Sequence, residues 1–103
     1  MVIQVTVLYP RVEAKTFDFE YYKTHHMGLV RRIFGEDAWN IEVERGVEGG
    51  RPGAKPSFVA ICRLQTHDIE TWHKHIQREL EEFVGDIPNF TEMQPTILFT
   101  EIV

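Results

Sequence analysis

Tyr22 and His26 stand four residues apart in the run Y-Y-K-T-H-H-M-G-L at residues 21 to 29, inside a stretch whose apolar residues recur at helical spacing. Side chains at i and i+4 share one helix face, so a phenol and an imidazole are carried inward together. Burial lowers an imidazole pKa and leaves the ring neutral, able to accept a proton near pH 7. The chemistry this pair supports is a general acid or base at His26, with the Tyr22 hydroxyl orienting the ring or donating to a ligand oxygen. The competing reading is a structural histidine bonded to a carbonyl or to the tyrosine, and a core tyrosine whose hydroxyl reaches the surface. Tyr9, beside Pro10, is placed to present its hydroxyl at a pocket mouth, and Trp39 and Phe90 to wall an apolar ligand. Tyr9 serves equally as rim packing, and aromatics at element boundaries such as Trp39 and Phe90 are more often core than ligand contacts.

The remaining reactive residues form no constellation. His25 and His26 are adjacent and diverge by ~100° around a helix, and His73 and His75 diverge further. With His67 in a loop, no histidine pair has the i, i+4 spacing of a helical zinc site, so neither metal nor cofactor is expected, and haem ligation by His26 or His75 has no support in spacing. The run G-G-R-P-G at residues 49 to 53 lacks phosphate-loop spacing and precedes a strand, which makes it a connector. Arg31 and Arg32 read as a solvated face. Cys62 alternates with apolar residues, as an inert buried thiol does, and being the sole cysteine it excludes an intrachain disulfide and a cysteine-rich zinc site.

The elements that must position the pair are legible in the patterning. Val2 to Tyr9 alternates as a strand that Pro10 ends. Asp18 N-caps a helix whose inward positions are Phe19, Tyr22, His26, Leu29, Val30, Ile33 and Phe34, stopped by Gly35. Trp39 to Arg45 has one apolar and one charged face and fits an edge strand. A turn-rich connector from Gly46 to Pro56 leads to Ser57–Gln65, apolar on both faces and therefore central. Asp68 or Thr66 caps a second helix with Ile69, Trp72, Ile76, Leu80, Phe83 and Val84 inward, closed by Gly85. Thr96 to Val103 is the last strand, so the order is βαββαβ.

Such an order in one domain over residues 1–103 predicts an α+β ferredoxin-like sandwich, a four-stranded antiparallel sheet with both helices on one face. Apolar residues on the free face of the third and fourth strands call for a cover, and a two-fold partner closing the two sheets into an α+β barrel supplies one. A homodimer with a pocket between sheet and helices follows as the expectation. The formal net charge of −5 argues against nucleic acid. No run reaches the ~20 apolar residues of a membrane span, and a soluble, cytoplasmic protein is expected.

Three segments carry a family resemblance: V-T-V-L-Y-P-R in the first strand, F-D-F-E-Y-Y-K-T-H-H-M-G-L-V in the first helix, and D-I-P-N-F-T followed by Q-P-T-I-L-F-T-E-I. Their order and spacing resemble the EthD (ethyl tert-butyl ether degradation) family of the dimeric α+β barrel superfamily. In the family's helix-one pattern two aromatics are followed by a histidine and a proline-leucine step, matched here by Tyr21, Tyr22, His26, Gly28 and Leu29. Gly28 departs from the proline. Both residues weaken a helix, so a bend there is expected. The resemblance implies a ligand pocket more firmly than a reaction. Similar barrels include isomerases, cyclases and cofactor-free monooxygenases that act on apolar, oxygen-bearing small molecules. The founding member's setting, a P450-type ether-degrading system, implies the alternative of a non-catalytic accessory or ligand-carrier protein serving an oxygenase.

Overall fold

A computed structural model describes residues 2–103 of the chain. Strand β1 (Ile3–Pro10) leads into a helical rod made of α1 (Phe19–Tyr21), a π turn (Tyr22–His26) and α2 (Met27–Phe34). Then come β2 (Trp39–Arg45), β3 (Phe58–Thr66), α3 (Ile69–Arg78), α4 (Leu80–Asp86) and β4 (Thr96–Glu101). The sheet runs β2-β3-β1-β4 with every neighbouring pair antiparallel, the ferredoxin-like order. β1 and β3 are central, as the two-sided apolar pattern of β3 requires, and β2 lies at an edge.

Period-two alternation decides which side chains meet the helices. Val5, Val7 and Tyr9 of β1 pair with Leu64, Cys62 and Ala60 of β3 and are buried with them. Val30, Ile33 and Phe34 of α2 and Trp72 of α3 pack onto that surface, each fully buried large apolar side chain contributing about 1.5–3 kcal/mol. Asp18 caps α1 by accepting from the Tyr21 N–H at 3.0 Å, and Asp68, rather than Thr66, caps α3 by accepting from the Thr71 N–H at 2.7 Å.

Several boundaries differ from the patterning, each for a local reason. Pro10 ends β1 from within, as its last residue, at a register shift opposite Phe58, where the missing N–H breaks no regular ladder bond. β4 stops at Glu101, leaving Ile102 and Val103 exposed beyond it. The second helix is not continuous: Glu79 has φ −117° and ψ 28°, outside the helical region, and divides α3 from α4. The buried stripe is also narrower than the spacing predicts: Trp72 and Phe83 are buried, while Ile69, Leu80 and Val84 are exposed. Gly85 lies within α4 and closes nothing. The connector between β2 and β3 is tied across itself, Gly49 N–H donating to Ala54 O at 2.8 Å.

Candidate functional site

The π turn is what lets Met27 enter the core beside His26. The Met27 N–H bonds the Tyr22 carbonyl five residues back, where an α-helix would reach four back. The wider turn admits an extra residue, so the successive residues His26 and Met27 both point inward, each 1% exposed. The distortion lies upstream of Gly28, and α2 runs unbroken across that residue. A Cβ at Gly28 would meet no atom within 4 Å, so the position where the family prefers proline does not shape the core.

His26 stacks on Tyr22, with ring centroids 5.2 Å apart and 22° between planes. Phe90 closes against both at 4.7 and 4.8 Å and against Tyr9 at 5.8 Å. Tyr9, Tyr22 and His26 line one internal cavity, together with Met27, Cys62 and Phe83. Its volume is about 10 Å³, on the scale of a single water. Phe90 packs behind the three rings without lining the cavity. Trp39 sits apart from them, at the end of β2 opposite Gln65, its ring 4.7 Å from His67.

Asp86, at the end of α4, completes the arrangement and carries no signal in the local patterning. Its Oδ2 lies 2.8 Å from His26 Nδ1. Its Oδ1 accepts from the Tyr21 hydroxyl at 2.5 Å and from Asn89 Nδ2 at 3.0 Å, and Asn89 also donates to the Tyr21 hydroxyl at 3.2 Å. The one clue in the sequence was the segment D-I-P-N-F-T, which contains Asp86, Asn89 and Phe90.

Electrostatics follow from this geometry. Burial holds His26 below the ordinary imidazole range, against the upward pull of Asp86. Burial also pushes the Asp86 carboxyl up, but hydrogen bonds from Tyr21, Asn89 and His26 outweigh it and hold the group below the usual carboxylate range. Near neutral pH the pair is therefore a neutral imidazole against a carboxylate. An ionised carboxylate only accepts, so Nδ1 carries the proton and donates it, and Nε2 keeps its lone pair. Burial raises the hydroxyls of Tyr9 and Tyr22 far above the ordinary phenol range and pushes the Cys62 thiol up to about 11. All three are uncharged hydrogen-bond partners.

A second, open cleft of about 410 Å³ lies outside the pair, with Tyr21, His25 and Leu29 on the rod facing Gly85, Asp86 and Asn89. Asp86 thus touches the outer cleft while its partner His26 lines the inner cavity. Among the described residues no cluster of three or more His, Cys, Asp or Glu side chains has metal-binding geometry, and no helix is long and apolar enough to cross a membrane.

No family model and no curated protein matches the chain. Solved structures do. An EthD-like protein from Ralstonia eutropha JMP134 superposes with a TM-score of 0.94 and 34% identity, over 99% of this chain and 92% of that one. An ethyl tert-butyl ether degradation (EthD) family protein from Bacillus halodurans C-125 gives 0.66 and 19% over the full length of both. A DABB family protein with a ferredoxin-like fold from Mesorhizobium loti shares the fold alone, at 0.56 and 8% over 99% of this chain and 97% of that one. With a third of its residues identical to the Ralstonia protein along nearly the whole of both chains, this chain belongs to the EthD-like family.

Proposed function

We propose that the protein binds an apolar, oxygen-bearing small molecule between its sheet and helices and transfers a proton on it through His26. The observation that carries this reading is the buried, neutral His26, whose Nδ1–H is committed to Asp86, leaving the Nε2 lone pair unused by that bond on a ring that lines one cavity with Tyr9 and Tyr22. In such a step Nε2 takes a proton from carbon or oxygen of the substrate, and the Asp86 carboxylate stabilises the imidazolium that forms. The uncharged hydroxyls of Tyr22 and Tyr9 donate to the substrate oxygen on which negative charge develops. Return of the proton to a different atom gives isomerisation or cyclisation. The same base can also deprotonate a phenol to the phenolate, which gives up electrons to molecular oxygen as the co-substrate in a cofactor-free oxygenation.

A homodimer belongs to this reading. The sheet face away from the helices carries half-buried Leu8, Val59 and Ile61 beside exposed Leu98, an apolar centre that a second sheet would cover. The alternative is a non-catalytic carrier or accessory to an oxygenase system.

A panel of phenols, lactones and short ethers, screened by thermal stabilisation and then for turnover, tests both. A ligand that is turned over should lose ~10²–10⁴-fold in rate with His26→Ala. Equal activity in that variant removes His26 from the reaction, and stabilisation without turnover selects the carrier.

A further inference from the structure

A ligand can reach His26 only if one wall of the closed cavity gives way, and the walls differ in how firmly they are held. On the sheet side Val7, Tyr9, Cys62 and Leu64 stand on β1 and β3, strands hydrogen-bonded along both edges. On the rod side Met27 and Val30 belong to α2, which also buries Ile33 and Phe34. The remaining wall is Trp72 on α3 and Phe83 on α4.

The stretch carrying Phe83 is the weakest. Of the residues from Leu80 to Asn89, Phe83 alone is buried. The stretch begins at the non-helical Glu79 and is anchored again at its far end, where Phe90 O accepts from the Asp18 N–H at 2.9 Å and Thr91 Oγ1 donates to Thr16 O at 2.9 Å. Between these points polar links hold it to the rod: His26 and Tyr21 to Asp86, Asn89 to Tyr21, and Arg32 to Glu82. The open cleft runs along this seam. Segments with few buried contacts, held mainly by polar links, open most readily, and binding-site lids are drawn from them.

We propose that Leu80–Asn89 is a lid, that the seam cleft is the entrance for a small apolar molecule bearing a hydroxyl or carbonyl oxygen, and that the His26–Asp86 bond is the latch. The proposal rests on the cavity being the ligand site but makes no use of the reaction. One group then serves twice: the carboxylate that orients His26 also ties the lid to the rod.

Cys62 reports on this directly, because it lines the cavity, is 3% exposed and is the only cysteine of the chain. The experiment compares the rate at which methyl methanethiosulfonate labels Cys62 in the native protein with the rate of global unfolding, alongside hydrogen exchange. Labelling should run at least ~10-fold faster than global unfolding permits. Asp86→Ala should accelerate it by a further ~10-fold, beyond any loss of global stability. Arg63→Ala, which breaks the ion pair with Glu44 on the opposite sheet face, should change labelling only in step with stability. Fast amide exchange should be confined to residues 80–89, with β1 and β3 protected. Labelling that tracks global unfolding in all three proteins overturns the lid, as does faster exchange in the rod than in residues 80–89. No substrate enters the measurement, so its failure leaves the proton-transfer reading standing, and an inactive His26 would leave the lid equally visible.

Discussion

Asp86 decides what His26 is. Without it, a buried imidazole has no preferred tautomer and no partner for a positive charge; with it, Nδ1 is the donor and Nε2 keeps its lone pair. The same pair makes the protein sensitive to acid. In the unfolded chain the imidazole binds a proton near pH 6.5, whereas the folded one does so only at lower pH. Below that value the unfolded state holds more protons, and stability falls as pH falls. The lowered Asp86 carboxyl acts in the same direction as pH approaches and passes below its ordinary value of 3.8. Urea denaturation at pH 7.5 and 5.5 should show the loss for the natural protein and a smaller one for His26→Gln; an undiminished loss in the variant would place the titration elsewhere. His26 and Tyr22 were legible as inward-facing groups from spacing alone, whereas Tyr9, expected at a pocket mouth, is buried beside them. Asp86 was not, because it lies sixty positions from His26, on an element whose periodicity reports only its apolar face.

At the scale of elements, backbone geometry sets the tolerance of two glycines in opposite directions. A Cβ at Gly46 would lie 1.9 Å from the Phe58 carbonyl oxygen where the β2–β3 connector closes. Gly46→Ala should therefore cost about 1–3 kcal/mol through forced backbone movement. Gly28, solvent-facing within α2, has open space around it, and Gly28→Ala should stabilise by about 0.5–1 kcal/mol. Urea midpoints of the two variants check both signs. The number, type and order of the elements could be read from alternation and capping residues such as Asp18 and Asp68. The π turn and the break at Glu79 could not. A one-residue insertion into a helix preserves the apolar stripe of Tyr22, His26, Val30 and Ile33 while adding Met27 to it. The stripe through Ile76, Leu80 and Phe83 likewise continues past Glu79 as though the helix were whole.

At the scale of the molecule, the described residues form a slab 39 × 34 × 18 Å, with the helices packed on one sheet face. The opposite face mixes an apolar centre of Leu8, Val59, Ile61 and Leu98 with the Arg63–Glu44 ion pair, so the proposed partner must match it in both shape and charge. Light scattering should give about twice the 12.1 kDa chain mass, and Leu98→Asp should return it to a monomer that is still folded. A monomeric natural protein at micromolar concentration would contradict the pairing. The account as a whole turns on the state of one ring, which ¹⁵N-histidine NMR reads directly. His26 should appear as the neutral, Nδ1-protonated tautomer at pH 7, with a titration midpoint below 6.5 and loss of tautomer preference in Asp86→Ala. A His26 that is charged at pH 7, or that carries its proton on Nε2, would contradict the assignment of Nε2 as the group that handles the substrate's proton.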